Sequence, residues 1–208
     1  EIRMVPYIGR THSSSGGVHG FAMNTLFHLG TLRWFRRGPA ISKIEEVRQE
    51  LLQLGVKDVK VAPVGLDFSV MKSDFAAYDR AALRREFGLL PEDMVICTVG
   101  RMGPEKNPLD LVEIYQQVRE QKPCKLLLVG EGTQSEDLKT KIAASKWKSD
   151  IVLIDRIPND QIWKVYATAD YFVNLCRTEI FGMAILEAMY YGVSVAALAA
   201  PGPSVTLR

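Results

Sequence analysis

The second half of the chain alternates short apolar runs with longer stretches in which apolar residues recur every three or four positions. The apolar runs predict buried strands at 94–99, 125–129, 150–154, 171–175 and 193–197. The periodic stretches predict helices at 108–119, 135–146, 160–168 and 181–191. Because short connections join these elements, the pattern predicts an α/β fold in which helices cover both faces of a parallel sheet.

The chain before residue 94 follows this pattern less closely. Residues 10–20 (RTHSSSGGVHG) predict a loop, and residues 25–37 predict a helix. This change in the regularity of the apolar pattern predicts two domains. Residues 1–64 are a remnant of an amino-terminal domain, and residues 65–208 are the α/β domain. Since the chain begins with Glu and stops soon after a turn-like segment, we expect a piece of a longer protein that is incomplete at both ends.

A helix and a strand are predicted within the first of these domains. Ser42 and Glu45 have the spacing of a capping box, which predicts a helix that starts at Ser42. Gly55 is a typical helix stop, and the β-branched run at 59–62 predicts a strand.

Composition narrows the range of partners. The chain is 47% hydrophobic and 24% charged, which is typical of a folded domain, and its net charge of +2 gives no argument for nucleic acid. No apolar run is long enough to span a bilayer, and no secretory signal is visible at the start. The three cysteines lack a CxxC spacing, so the sequence predicts reduced thiols, no metal site and a cytoplasmic protein.

Ligands of open parallel sheets bind beyond the carboxyl ends of the strands, so the loops there are the first candidates for a site. The loop after the strand at 94–99 runs from Gly100 to Lys106 and carries two cations, Arg101 and Lys106. Arginine offers a planar fork and lysine a compact charge, and together they suit a diphosphate. The alternative is a solvated loop in which these cations pair with Glu105.

The next two loops give weaker signals. Gly130 and Gly132 begin like a dinucleotide-binding fingerprint, but position 135 is Ser rather than the third glycine. Gly130 therefore predicts either a turn beside a ligand or a plain turn. The backbone near Ile157 could contact a base edge, although an ordinary strand–helix connection is favoured there.

The segment before the helix at 181–191 gives the strongest signal. Glu187 lies in an almost wholly apolar helix, and a buried carboxylate needs a partner such as a ribose diol, a backbone amide or a cation. The first N–H groups of that helix, near Gly182 and Met183, form a site for anions or hydroxyls, and Glu179 precedes them. The alternative is that Glu187 pairs with a buried Arg or Lys while Glu179 caps the helix.

Glu179 and Glu187 also carry a resemblance to a known family. TEIFGMAILEAMYYGVSV resembles the E-x-F-G-x-x-x-x-E-A-x-x-x-G-x-x-V signature of the retaining glycosyltransferases of family 4, which have the GT-B fold. Four further blocks resemble that family in the right order: APVGLD, GRMGPEK, KLLLVGEG and IVLIDRIPNDQIWKVYATADYFV. The similarity extends from about Ile41 to Pro203.

The resemblance implies two Rossmann-like domains with the active site between them. Residues 65–208 would then be the donor-binding carboxyl-terminal domain, and residues 1–64 a remnant of the acceptor-side domain. In relatives, Arg101 and Lys106 would bind the donor diphosphate, and Glu179 would contact the donor sugar. The remaining donor contacts implied are Glu187 on the ribose, Leu186 in the ribose pocket, the backbone of Ile157 at the base, and the amides of Phe181, Gly182 and Met183 near the sugar.

The activity implied is transfer of a sugar, with retention of configuration and without a metal or cofactor, from a UDP- or GDP-linked donor to a glycan or lipid-linked acceptor. Polysaccharide biosynthesis is the expected setting, with a peripheral membrane contact expected only on the amino-terminal half. We expect this fragment alone to be inactive. His12 is either a remnant of the histidine that relatives bring to the donor sugar or, more simply, a loop residue. The alternatives are a non-catalytic nucleotide-binding or interaction domain of the same fold and a GT-B nucleotide-sugar epimerase.

Overall fold

The computed structural model describes residues 38–67, 71 and 78–207. His12, the loop predicted at 10–20 and the helix predicted at 25–37 lie outside these described residues. The chain divides into two compact units. The first contains the residues up to Gly65 together with Thr178–Gly182 and the residues from Ala200 onward, and the second contains Leu66–Arg177 and Met183–Ala199. A single division at residue 64 therefore leaves out the two later segments that belong with the first unit.

Strands and helices are numbered here in chain order. The strands of the described residues are β1 (Pro39–Ser42), β2 (Asp58–Val61), β3 (Val95–Val99), β4 (Lys125–Val129), β5 (Ile151–Ile154), β6 (Tyr171–Asn174) and β7 (Ser194–Ala197). The helices are α1 (Glu45–Gln53), α2 (Arg80–Glu86), α3 (Pro108–Gln121), α4 (Ser135–Ala144), α5 (Trp163–Thr168), α6 (Met183–Tyr190) and α7 (Pro201–Thr206). Every strand and helix predicted within this part of the chain is present, with ends displaced by up to three residues.

The first unit contains the parallel pair β1 and β2, joined by α1. Its core is built from apolar residues of these three elements, with Ile180 and Phe181 packed against it. Ser42 is not the N-cap of α1, because it is the last residue of β1 and its hydroxyl donates to the carbonyl of Ile44. Gly55 does end the helix as predicted, and its φ of 87° is the left-handed conformation that glycine allows.

The second unit is built on a parallel sheet of strand order β5-β4-β3-β6-β7. Alternate residues of β4 point to opposite faces. Leu127 and Val129 join one core, to which α5 and α6 contribute, whereas Leu126 and Leu128 join a second core with residues of α3 and α4. The prediction of a sheet covered by helices on both faces is therefore confirmed.

Two carboxylates at the amino-terminal edge of this sheet are enclosed by cations. Asp170, just before β6, accepts from Arg80 at 2.7 Å and from Arg84 at 2.9 Å, as well as from the backbone N–H of Val95. Asp150, just before β5, is bound by Lys125 and Arg119 at 2.6 and 2.9 Å. Burial alone would raise the pKa of Asp150, but the two cations outweigh it and hold the pKa below its usual value.

Candidate functional site

The strand order places a topological switch point between β3 and β6. From β3 the chain proceeds through β4 to β5 on one side, and β6 and β7 lie on the other side. The loops that follow β3 and β6 therefore diverge and leave a crevice beyond their carboxyl ends, where ligands of open parallel sheets bind.

The loop after β3 is held in one conformation by its glycine, a short 3-10 turn and a side-chain contact. Gly100 has a φ of 149°, and Pro104–Lys106 form the 3-10 turn. Asn107 follows in the left-handed conformation, with a φ of 51°, and its side-chain amide donates to the carbonyl of Leu175 at 2.8 Å. This bond joins the β3 loop to the segment after β6, so the two sides of the switch point are fixed to each other.

Arg101 and Lys106 line the same cavity at this switch point. Its walls come from the end of β3, the loop that follows, the start of α3 and the end of β6: Thr98, Val99, Gly100, Arg101, Met102, Lys106, Pro108, Leu111, Asn174 and Leu175. The cavity holds about 20 Å³, room for roughly one water molecule. A diphosphate would therefore lie at its mouth, against the two cations, rather than inside it.

The pairing of Arg101 with Glu105 that the sequence left as an alternative is present but loose. The guanidinium Nε lies 3.4 Å from a Glu105 carboxylate oxygen, and the arginine side chain is 75% exposed. An ion pair of this kind contributes little, since solvent screens it. Arg101 therefore keeps most of its donor groups directed to solvent or to a ligand.

Gly130 and Gly132 allow the loops after β3 and β4 to lie against each other. A Cβ at Gly130 would lie 1.9 Å from the carbonyl oxygen of Gly100, and one at Gly132 would lie 2.5 Å from that of Met102. Backbone bonds from Met102 to Glu131 and back from Gln134 to Met102 join the same loops. These glycines thus shape the wall of the crevice, which is a backbone role that the incomplete fingerprint did not reveal.

Glu187 has a neutral partner rather than a cation. The hydroxyl of Tyr166, on α5, donates to Glu187 Oε2 at 2.6 Å, and the glutamate is half-buried rather than fully buried. Among the residues that the structure describes, no lysine or arginine forms a salt bridge with Glu187, so the partner found there is a tyrosine and not the cation of the alternative. The bond uses one of the two carboxylate oxygens, Oε2.

The other predicted donor-binding residues of the second unit, Met183, Leu186 and Ile157, lie on or beside the helices α5 and α6. Met183 and Leu186 are half-buried on α6, which begins at Met183 rather than at Phe181 as predicted. Ile157 packs its side chain into the core on the α5 and α6 side of the sheet, which leaves only its backbone for the base contact suggested by resemblance.

Glu179, Phe181 and Gly182 belong to the first unit and are fixed there by α7. The carbonyl of Glu179 accepts from the N–H of Gly202 at 2.8 Å, and that of Phe181 accepts from the hydroxyl of Thr206. Gly182 has a φ of 83°, a conformation suited to glycine. The sequence analysis did not predict α7, which opens with Pro201-Gly202-Pro203, residues that are typical of a loop.

Two further cavities lie on the second unit. One of about 370 Å³, beyond β4 and β5, is lined by Glu131, Glu136, Asp155 and Lys139, and this acidic lining is unfavourable for phosphate. An open cavity of about 460 Å³ lies at the amino-terminal edge, where Arg80 and Asp170 bind each other. It is much larger than the switch-point cavity, but its charges are already paired, so volume alone is a poor guide to the site.

Within the described residues, no group of three or more His, Cys, Asp or Glu side chains is arranged to hold a metal ion. The three cysteines are buried and form no disulfide, and burial raises the pKa of the Cys97 thiol. No helix in the described part of the chain is long and apolar enough to cross a bilayer.

Tyr166 and Asn107 are site residues that the sequence analysis missed. Tyr166 lies in a mainly apolar stretch, and a tyrosine there predicts a residue of the hydrophobic core. The one signal that could have found it is that a buried tyrosine hydroxyl usually has a hydrogen-bond partner. Asn107 directly precedes Pro108, a position typical of a helix start, but its bond to Leu175 joins residues 68 positions apart.

Comparison with known proteins identifies a family. The model of the family described as glycosyl transferases group 1 matches residues 79–208. A D-inositol 3-phosphate glycosyltransferase of Segniliparus rotundus is 32% identical over 154 residues, which are 72% of this chain and 33% of that protein. An alpha-monoglucosyldiacylglycerol synthase of Streptococcus pneumoniae is 24% identical over 203 residues, or 93% of this chain and 46% of that protein.

Solved structures show the same fold. The crystal structure of Anabaena Alr3699/HepE in complex with UDP and glucose superposes with a TM-score of 0.79 at 20% identity, and covers 97% of this chain and 54% of that one. The chain spans roughly a third of the length of the D-inositol 3-phosphate glycosyltransferases that it matches.

Proposed function

Because this chain belongs to the glycosyl transferases of group 1, we propose that it binds the diphosphate of a nucleotide-sugar donor at the switch point between β3 and β6. The proposed reaction moves the sugar from a UDP- or GDP-linked donor to a hydroxyl of a glycan or lipid-linked acceptor with retention of configuration. Since the chain spans about a third of such relatives, we propose that it binds donor and that transfer needs the remainder of the protein.

The observation that carries this proposal is the placement of Arg101 and Lys106 on one cavity at the switch point. Two cations on a loop braced by Asn107 present their charge at a fixed place. When the bond between the sugar and the diphosphate breaks, negative charge develops on the leaving diphosphate. Preorganised cations stabilise that charge without having to reorganise during the reaction.

The proposed chemistry needs no enzyme nucleophile. The acceptor hydroxyl attacks the anomeric carbon from the face that the diphosphate leaves, and the departing phosphate oxygen takes the hydroxyl proton. Glu179 is proposed to bind hydroxyls of the donor sugar rather than to form a covalent intermediate. The backbone amides of Phe181, Gly182 and Met183 are proposed to contact the same sugar.

The nucleoside part of the donor is assigned to Glu187 and its neighbours. Glu187 is half-buried, and among the described residues the only partner that the structure gives its carboxylate is the Tyr166 hydroxyl. This suits a carboxylate that accepts hydrogen bonds from a ribose diol. Leu186 is proposed to line the ribose pocket, and the backbone of Ile157 to contact the base. The UDP and glucose bound in the Anabaena structure favour a UDP-linked sugar, and the diacylglycerol in the name of the pneumococcal relative favours a lipid acceptor.

Calorimetric titration of this chain with UDP, GDP, ADP and the matching nucleosides tests the donor proposal. One nucleoside diphosphate should bind much more tightly than its nucleoside. Arg101→Ala and Lys106→Ala should each weaken that diphosphate by about 1.5–3 kcal/mol, the scale of a charge-assisted hydrogen bond, and leave the nucleoside unaffected. Lys146→Ala is the matched control, because this exposed lysine pairs with Glu120 on α3. Equal affinity for diphosphate and nucleoside would refute the assignment.

A further inference from the structure

Tyr166 and Glu187 form a hydrogen-bonded pair in the second unit, in which the tyrosine is buried and the glutamate half-buried. Tyr166 is 1% exposed, and its hydroxyl lies 2.6 Å from Glu187 Oε2. The tyrosine ring is itself held between aromatic neighbours: it stacks on Tyr191, with ring planes 8° apart, and makes a tilted contact with Phe172. The hydroxyl is therefore fixed in position before any ligand arrives.

The bond has a fixed direction. Burial, followed by the charge of Glu187, raises the pKa of Tyr166 far above its usual value, so the phenol keeps its proton and donates. A hydroxyl donating to a carboxylate at this distance is a charge-assisted bond, which is stronger than a neutral one. It occupies Oε2 and restricts the rotation of the carboxylate, which has further acceptor sites on Oε1.

Other carboxylates of this unit are satisfied differently. Asp150 and Asp170 are each bound by two cations, so the charge of each carboxylate is compensated by ion pairs within the fold. A cation on Glu187 would compete with ligand hydroxyls, whereas a tyrosine orients the carboxylate and leaves its charge uncompensated. The choice of partner thus favours a ligand-binding role for Glu187.

We propose that Tyr166 is the positioning residue for Glu187, which it holds in the orientation that accepts the ribose diol of the donor nucleotide. This inference rests on the proposed function, in which Glu187 binds the ribose. Because Tyr166 itself is buried, it is proposed to act through Glu187 and not by contact with the nucleotide. Its effect is therefore expected on ribose recognition rather than on diphosphate binding.

The test compares UDP with 2′,3′-dideoxy-UDP by calorimetry and uses the ratio of their dissociation constants. In the wild type, the dideoxy compound should bind at least roughly ten-fold more weakly, because the hydroxyl contacts to Glu187 are lost. Tyr166→Phe should reduce this ratio roughly three- to ten-fold, mainly through weaker UDP binding. Glu187→Ala should bring the ratio close to one.

Tyr115→Phe is the matched control. Tyr115 is also 1% exposed, and its hydroxyl bonds to the carbonyls of Cys124 and Asp150 on the other side of the sheet. Both substitutions remove one buried hydroxyl and should lower stability, but only Tyr166→Phe should change the ratio. An unchanged ratio in Tyr166→Phe, together with a lost ratio in Glu187→Ala, would overturn the positioning role.

A second variant covers the case in which Tyr166→Phe does not fold. Glu187→Asp keeps the charge but withdraws the carboxylate from the tyrosine by one methylene, so it should lose ribose discrimination to a similar extent. A wild-type ratio in Glu187→Asp would overturn the positioning role. If Glu187→Ala leaves the ratio unchanged while UDP binds, the ribose assignment fails. If UDP does not bind but another nucleoside diphosphate does, the same comparison is made with that nucleotide and its dideoxy analogue. If no nucleoside diphosphate binds the wild type, the donor proposal fails.

Discussion

The two edges of the five-stranded sheet use charge in opposite ways. At the amino-terminal edge, Asp150 and Asp170 lie between pairs of cations at 2.6–2.9 Å, and Arg84 is only 4% exposed. At the carboxyl-terminal edge, Arg101 is 75% exposed and lies 3.4 Å from its acidic neighbour. The charges of the first edge form ion pairs that hold strands and helices together. The arginine of the second edge is exposed to solvent and to any ligand.

Whether charges are already paired is therefore a better guide to a candidate ligand site than cavity size. The amino-terminal edge has the larger cavity, but its arginine and aspartate satisfy each other. The comparison predicts that substitutions at the amino-terminal edge lower stability and leave nucleotide binding intact. Substitutions of the cations at the carboxyl-terminal edge, Arg101 and Lys106, should do the reverse.

The largest effect is expected from Asp170→Ala. It leaves the buried guanidinium of Arg84 without its carboxylate and removes the acceptor of the Val95 N–H. Breaking a buried pair in this way costs about 3–5 kcal/mol, which urea unfolding followed by circular dichroism would measure. The exposed Asp160→Ala is the control and should change stability by less than about 0.5 kcal/mol. Equal losses in the two variants would show that the Asp170 network is not structural.

At the carboxyl-terminal edge, stability depends on the backbone at Gly130, where the loops after β3 and β4 lie against each other. Gly130→Ala would place a Cβ 1.9 Å from the carbonyl oxygen of Gly100, so both loops must shift, at a cost of about 2–3 kcal/mol. Gly88→Ala is the matched control, because Gly88 also has a positive φ, of 70°, but open space around it, and should cost about 1–2 kcal/mol. Similar unfolding free energies for the two variants would contradict the close approach of the loops.

Asp150 makes the stability of the amino-terminal edge depend on pH. Its cations hold the folded pKa below the unfolded value, so its contribution is present above about pH 4 and is lost as the pH falls through the folded pKa. Asp150→Asn should lower the unfolding free energy by about 1–3 kcal/mol at neutral pH and make it depend less on pH in the acid range. If the unfolding free energies of wild type and variant fall equally steeply between about pH 5 and pH 3, this role is contradicted.

The smallest effect on stability is expected from Arg101→Ala. The exposed ion pair with Glu105 contributes little, so the unfolding free energy should change by less than about 0.5 kcal/mol although diphosphate binding weakens. A loss comparable to that of Asp170→Ala would place Arg101 among the structural charges and remove the contrast between the two edges. Urea unfolding without nucleotide measures this.

Periodicity predicted the α/β alternation because buried strands and amphipathic helices have distinct patterns, as in KLLLV at β4. It missed β1, which is only four residues long and begins with a proline. It also missed α2, where exposed polar residues interrupt the apolar pattern, and α7, which contains three residues that disfavour helix. The capping box at Ser42 was wrong because strand pairing with β2 extends to Ser42 and leaves Ile44 at the start of α1.

The site was predictable where it depends on a single loop. Arg101 and Lys106 follow one strand, and the strand-end rule was enough to bring them onto one cavity. The partner of Glu187 could not be predicted, because Tyr166 is 21 residues away and the pairing depends on how α5 and α6 pack. The bond between Asn107 and Leu175 likewise requires the order of β3 and β6 in the sheet.

We propose that a nucleoside diphosphate binds at the carboxyl-terminal edge of the sheet. Titration of the isotopically labelled chain with UDP, followed by amide chemical shifts, locates the bound nucleotide. The largest shifts are expected in residues 100–107, with smaller ones around Glu187 and little change at Asp170 and Ser194. Shifts concentrated at Asp170 and Ser194, in the larger cavity of the opposite edge, would contradict it.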